Sequence, residues 1–319
     1  MIGFDLGGSN LRAARFGDGA QPVASHREPV GEPRDPETIV ERVARIAEQL
    51  AEPIEGVVPV GVGIAAMLRD RDGTVANSPH LRWRDVAFGT MLAARLGARF
   101  HVVVCNDVNA IVWGEAQDGA ARGCRDVLGV HVGTGIGGGV IVGGELVTGA
   151  SQCAGEIGHS KVRWDDAAAP CACGQRGCVE AYLGGSYLQA RIARELAAGA
   201  HTAAIGLAGG GDVHPGHVDQ AAGYGDEWAL GLWSELAPLL AVAIGNALAV
   251  LNPERLVLGG GVLARCPTLR ELVETALEVA APSASLEPLT VVAAELGDDA
   301  GLVGAARLAG RAAAITSRR

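Results

Sequence analysis

The stretch VGTGIGGGVIVGG, residues 132–144, decides how the rest of the chain is read. Gly133, Gly135 and Gly138 have the spacing of a dinucleotide-binding fingerprint. That fingerprint needs a helix to open directly behind the glycines, so that the helix N-terminus can receive a pyrophosphate. Val140, Ile141 and Val142 follow instead, and a β-branched run of this kind forms a strand. The glycines are therefore expected to turn a β-hairpin. Near the start of the chain, IGFDL (2–6) and LRAARF (11–16) flank the turn GGSN on the same plan of strand, glycine turn and strand. The second half thus begins again at VLGVHV, and an internal echo of this sort implies two related lobes.

Between the two hairpins the chain alternates α and β. After a Pro-rich loop, TIVERVARIAEQL (38–50) carries apolar residues at helical spacing, with Asp35 or Thr38 as cap and Pro36 near the first turn. VPVGVGI (58–64) and FHVVV (100–104) read as strands on either side of a helix around 86–97. Further helices are expected near 180–198, 226–251, 267–279 and 300–314, and strands at 255–258 and 290–294. The Gly- and Pro-containing stretch 206–217 reads as a flexible loop. A smaller lobe of 1–115 with the C-terminal helix 298–319, and a larger one of 116–297, would divide the chain.

With 319 residues, 49% of them hydrophobic, the chain can bury a large core. A formal net charge of −10 and the lack of any basic run argue against nucleic acid as a partner. PLLAVAIGNALAVL (238–251) falls short of the roughly 20 residues that cross a bilayer and reads as a buried helix, so no membrane association is expected. MIGFDLGG has neither the basic nor the apolar region of a secretory signal, which leads us to expect a cytoplasmic protein. The seven cysteines, three of them in CACGQRGC, do not look like a disulfide framework.

Three glycine clusters can approach phosphates. DLGGSN (5–10) and GTGIGGG (133–139) each offer backbone N–H groups beside a hydroxyl, Ser9 or Thr134. Gly259-Gly260-Gly261 follows the strand RLVL, where the rest of a nucleotide is expected in an open α/β sheet. A Walker loop is excluded, because the only lysine, Lys161, is not in a Gly-Lys-Ser/Thr setting. His159, Cys171, Cys173 and Cys178, with Gly174 and Gly177 to reverse the chain, match a closed Cys₃His zinc site, which would staple a loop rather than catalyse. Cys105, Cys124, Cys153 and Cys266 read as small core residues. Asn106 and Asp107 stand at a strand's C-terminal end and a helix's start; Asp107 can be an N-cap or, with Glu156, His159 and Glu180, can face a polyhydroxy ligand.

In their order, DLGGSN, CNDVNAIVWGE, GTGIGGG, AGEIGH, CACGQRGCVE and LNPERLVLGGGV make a pattern that resembles the ROK family of bacterial sugar kinases, from residue 2 to about residue 309. The resemblance implies a two-lobed actin/hexokinase-like (ribonuclease H-like) fold with a ligand cleft between the lobes. It implies ATP held by Gly7, Gly8, Ser9, Asn10, Gly133, Thr134, Gly135, Gly137, Gly260 and Gly261. It makes Asp107 the general base toward a hexose hydroxyl, with Asn106, Glu156, His159 and Glu180 as sugar ligands, His159 having its other nitrogen on zinc. Asp5 resembles the residue that holds Mg²⁺, through water.

The chain departs from the family pattern in three places. Ala65-Ala66 stands where many members have Pro-Gly, and Ser78-Pro79-His80-Leu81 where Ser-Pro-Asn-Leu is common, putting His80 where the sugar would be contacted. Ser9 and Asn10 replace the commoner Thr and Lys. The resemblance implies a hexose kinase, glucose first, with a kinase of N-acetylmannosamine or another hexose or N-acylhexosamine as the alternative and a non-catalytic sugar sensor as a remote one. It also implies a homo-oligomer. The family's repressors carry a helix-turn-helix ahead of the first phosphate turn, and as none is seen here DNA binding is not expected.

Overall fold

The computed structural model describes residues 1–316. The chain forms two compact units, one of Met1–Cys124, Gly139–Gly155 and Glu295–Arg319, the other of Arg125–Gly138 and Glu156–Ala294. The expected division, 1–115 with 298–319 against 116–297, places 116–124 and 139–155 with the other part. The expected C-terminal helix 298–319 runs Ala300–Thr316, and its last three positions lie outside the described residues.

The first unit opens with β1 (Ile2–Leu6), β2 (Asn10–Phe16) and β3 (Pro22–Pro29), then α1 (Pro36–Ala51), β4 (Val58–Ile64), β5 (Met67–Leu68), β6 (Val75–Ser78), β7 (Trp83–Val86), α2 (Phe88–Leu96), β8 (Phe100–Asn106) and α3 (Asp107–Asp118). Next come β9 (Val127–Val132), β10 (Ile136–Val142), β11 (Glu145–Val147), α4 (Glu180–Leu183), α5 (Gly185–Ala197), α6 (Ala204–Leu207), α7 (Pro215–Gly223) and α8 (Glu227–Leu251). The chain closes with β12 (Arg255–Gly259), α9 (Gly261–Arg265), α10 (Pro267–Ala280), α11 (Ser283–Leu286), β13 (Thr290–Ala293) and α12 (Ala300–Thr316).

The internal echo is a topological one. The strand orders are β3-β2-β1-β4-β8 and β11-β10-β9-β12-β13, so in each sheet the first three strands run third-second-first and the next two are added beyond the first. In the first sheet β1, β2 and β3 pair antiparallel, while β4 and β8 extend it in parallel. In the second, β12 is parallel to both β9 and β13, and β10 and β11 form the antiparallel hairpin. The stretch 132–144 is thus a hairpin, as its β-branched run requires.

β1 and β4 are buried along almost their whole length because helices cover both faces of the sheet, which is the burden of a parallel core. α1 lays Ile39, Val43, Ile46 and Ala47 inward on one face, its N-terminus fixed by Asp35 accepting the Thr38 N–H at 2.8 Å with Pro36 in the first turn. α12 lies on the other face against α3, β1 and β4. Its approach to α3 is close enough that a Cβ at Gly304 would stand 1.7 Å from the Ala110 carbonyl oxygen. Glu115, fully buried at the other end of α3, accepts the backbone N–H groups of Ala120, Glu295 and Leu296. Helix α3, which begins with Asp107, is therefore packed along α12 and tied at its C-terminal end to the segment that leads into α12.

Several expectations need correction. The Pro-rich loop after β2 is strand β3; its prolines stand at its two ends on the sheet edge, where a missing N–H costs no ladder bond, and its inward positions are Ala24, His26 and Glu28 rather than large apolar residues. The small sheet β5-β6-β7 has no periodic signal in sequence. Helix 180–198 breaks at Gly184, where the extended backbone lets the next amide reach the carbonyl oxygen of Gly133. The loop 206–217 begins in α6 and ends in α7, which Pro215 starts. The apolar helix of 238–251 extends back to Glu227 and is long and apolar enough to cross a bilayer; here Leu232, Trp233, Leu236, Leu240, Ile244 and Leu248 are buried and the helix packs on α10. Cys105 and Cys266 are buried as expected, whereas Cys124 and Cys153 are only half-buried.

Candidate functional site

In the first unit the glycine turn after β1 is closed by the Gly7 N–H donating to the Asn10 carbonyl at 3.1 Å, and the Ser9 carbonyl accepts the Val30 N–H at 2.9 Å. Asp5 and Arg12 face each other across β1 and β2, and the Arg12 guanidinium pairs with the Asp5 carboxylate, its Nε at 3.1 Å. Arg12 is a site feature that sequence reading missed; its position directly opposite Asp5 in the hairpin was the available signal. His80 packs on this turn, so that a Cβ at Gly8 would come 2.9 Å from the His80 Cβ.

Asn106 ends β8 and caps α3, its Oδ1 accepting the N–H groups of Val108 at 2.9 Å and Asn109 at 3.1 Å. Asp107 is thus the first helical residue and Asn106 is the cap, which corrects the N-cap alternative for Asp107. The Asn106 amide donates to the Ala66 carbonyl at 3.3 Å and to Asp107 Oδ1 at 3.0 Å. An asparagine side chain has two donors and two acceptor positions, and all four are taken up here, so a sugar hydroxyl would have to replace one of them. Asp107 Oδ1 also accepts the Val108 N–H at 3.0 Å. Across the sheet, Gly63 pairs with Asp5, and a Cβ there would lie 3.7 Å from the Asp107 Cα. Asp5, Arg12 and Asp107 are therefore gathered at the same end of the first sheet.

In the second unit Gly133, Thr134 and Gly135 link β9 to β10. The carbonyls of Gly133 and Thr134 accept the N–H groups of Gly185 and Ser186 at the start of α5, at 2.8 and 3.0 Å. Glu180 Oε2 accepts the Ile136 N–H at 2.8 Å, and a Cβ on Gly135 would stand 2.4 Å from that oxygen. The turn and Glu180 are fitted to one another, which sequence reading did not connect. Gly137 lies within β10 beyond this turn. Gly260 is the left-handed cap of α9, φ +88°, and packs on Val132, where a Cβ would meet the carbonyl oxygen at 2.4 Å; Gly261 starts the helix.

His159, Cys171, Cys173 and Cys178 come together, their ligand atoms all within 4.8 Å of one another. A tetrahedral zinc with Zn–S bonds of about 2.3 Å has sulfur–sulfur edges of about 3.8 Å. Cys173 and Cys178 are 3.7 Å apart and Cys171 lies 3.8 Å from His159 Nδ1, so the donor set and its spacing fit zinc. Burial pushes the Cys171 thiol up, and a cation among these sulfurs is what would favour its thiolate. With Nδ1 turned to the sulfurs, His159 Nε2 points the other way, 3.9 Å from Glu156 Oε2. Burial raises the Glu156 pKa, opposed by His159 and reinforced by Glu180.

A model of the ROK family matches residues 1–312. The chain is similar to a glucokinase of Streptomyces coelicolor, 32% identical with 97% of this chain and 96% of the relative covered. It is also similar to an N-acetyl-D-glucosamine kinase of Erwinia tasmaniensis, 33% identical over 82% of this chain and 84% of the relative. Among solved structures it resembles a ROK glucokinase from Streptomyces griseus in complex with glucose and AMPPNP, with a TM-score of 0.80 at 31% identity, covering 98% of this chain and 99% of that one.

Proposed function

The chain belongs to the ROK family and is a sugar kinase of that family; from that premise we propose that it transfers the γ-phosphoryl group of MgATP to the 6-hydroxyl of glucose. The observation that carries the reading is the Asp107 carboxylate at the head of α3, oriented by Asn106 and backed by a helix packed along α12. Asp107 accepts the proton of the 6-hydroxyl as that oxygen forms its bond to the γ-phosphorus and the bond to the bridging oxygen breaks, releasing ADP. Little covalent help is needed in such a transfer, so positioning and charge neutralisation supply most of the catalysis.

The turns 7–10 and 133–135, with Gly137 just inside β10, offer amides to the phosphates, with Gly260 and Gly261 toward the rest of the nucleotide, and Asp5 would hold Mg²⁺ through water. Asn106 keeps Asp107 in place. Glu156, His159 and Glu180 hold sugar hydroxyls, and zinc, when bound, supplies a rigid anchor for the His159 ring. His80, which packs against Gly8, is a sugar contact beside the phosphate turn in this reading. A cytoplasmic homo-oligomer goes with it.

N-acetylhexosamine is the second substrate reading, supported by the N-acetylglucosamine kinase relatives. Coupling ADP release to a readout with MgATP and glucose, mannose, N-acetylglucosamine, N-acetylmannosamine, fructose or allose decides between them. Glucose is expected to give the highest kcat/KM. Silence across the panel would defeat the kinase reading, and a stronger signal from a hexosamine would transfer it to that substrate. Asp107→Ala is expected to lower turnover by several orders of magnitude; unchanged turnover would remove Asp107 from its role.

A further inference from the structure

Lys161 stands out on composition before it does on geometry. The chain has 26 lysines and arginines together, and Lys161 is its one lysine. Its ammonium lies 3.0 Å from the Sγ of Cys178. The contact is built into the backbone. Lys161 and Cys178 are partners in an isolated antiparallel bridge, held on either side by the Val162 N–H to the Gly177 carbonyl at 2.9 Å and the Val179 N–H to the Ser160 carbonyl at 3.0 Å. Directly opposed residues in such a pair bring their side chains together without further cost. Gly177 permits the bridge, since its φ is +75° and a Cβ would stand 1.9 Å from the Arg163 carbonyl oxygen.

Three thiolates and a neutral imidazole around Zn²⁺ leave the centre with a net charge of −1, which a single ammonium at hydrogen-bond distance brings to zero. Lysine suits this place better than the arginine used elsewhere, because its charge is compact and its three donors are not confined to a planar fork. Cys178 is fully buried, while Lys161 lines an open surface depression with Arg163, Trp164, Gln175 and Arg176. The lysine therefore stands at the solvent side of a sulfur whose other close neighbours are the remaining members of the same cluster.

We propose that Lys161 is the outer charge partner of the zinc centre, donating through its ammonium to the Cys178 thiolate so that the metal is released slowly and His159 keeps its orientation. The proposal rests on the zinc reading of His159, Cys171, Cys173 and Cys178. An ammonium held at hydrogen-bond distance offsets the net negative charge of the centre at the buried sulfur, which keeps the ligand set closed around the metal.

The test uses the full-length protein as purified. Elemental analysis of the wild type comes first; absence of zinc would defeat the zinc reading itself and this inference with it. With zinc present, its rate of transfer to the chromogenic chelator 4-(2-pyridylazo)resorcinol is compared in wild type, Lys161→Met and Lys161→Arg. Lys161→Met is expected to lose zinc about tenfold faster or more, the usual scale of an outer-shell partner, and Lys161→Arg to stand between. Replacing zinc by Co²⁺ gives a second readout, with the sulfur-to-cobalt charge-transfer band expected to move to lower energy in Lys161→Met. Release at the wild-type rate together with an unmoved band would overturn the proposal.

Discussion

Two glycines of the same turn should answer oppositely to the same added methyl group. Neither Gly133 nor Gly135 has a positive φ, so alanine is compatible with the backbone at both. At Gly133 a Cβ meets nothing within 4 Å, whereas at Gly135 it would stand 2.4 Å from Glu180 Oε2. An ordinary contact needs about 1 Å more, and withdrawing the carboxylate that far takes its 2.8 Å bond to the Ile136 N–H beyond hydrogen-bond range. Losing a hydrogen bond to a charged acceptor costs about 1.5–3 kcal/mol, offset by roughly 0.4–1 kcal/mol from the less flexible unfolded chain. Gly135→Ala is thus expected to be about 1–2 kcal/mol less stable than wild type, and Gly133→Ala equal to wild type or slightly more stable. Urea titration of each full-length protein, followed by tryptophan fluorescence, measures both. Because Glu180 is read as a sugar ligand, Gly135→Ala should also raise the KM for glucose, with a smaller effect of Gly133→Ala on that constant. Equal stability of the two variants would refute the fit between turn and carboxylate.

His131 of β9 pairs with Gly259, where a Cβ would come 2.5 Å from the imidazole, and its buried Nδ1 finds no hydrogen-bond partner among the described residues. Burial lowers its pKa from 6.5 to about 4. Between these values the unfolded chain binds a proton that the folded one does not, so stability falls as pH falls from 6.5 to about 4, by up to about 3 kcal/mol. Unfolding titrations across this range should show that slope in wild type and a shallower one in His131→Gln; identical slopes would count against it. Cys173→Ser removes the exposed sulfur of the zinc set and should yield protein with much less zinc by elemental analysis and a lower melting temperature. Unchanged zinc content would mean that the ligand set is misread.

The sequence by itself determined what depends on neighbours along the chain. The β-branched run after Gly139 made 132–144 a hairpin, the Asp35–Pro36 pair started α1, and the close spacing of Cys171, Cys173 and Cys178 announced a cluster with the donors to hold a metal, because turn chemistry, capping and short loops act over a few residues. The matching strand orders of the two sheets were likewise prefigured by the repeated hairpin. The edge strand β3 was not, since an edge strand with little apolar character owes its existence to the partner β2 rather than to its own residues. Nor could the sequence show that Glu180 is seated by the turn around Gly135, or that the one lysine lies against Cys178. Those are contacts between residues distant in sequence or set by register, and only the folded backbone fixes which side chains meet.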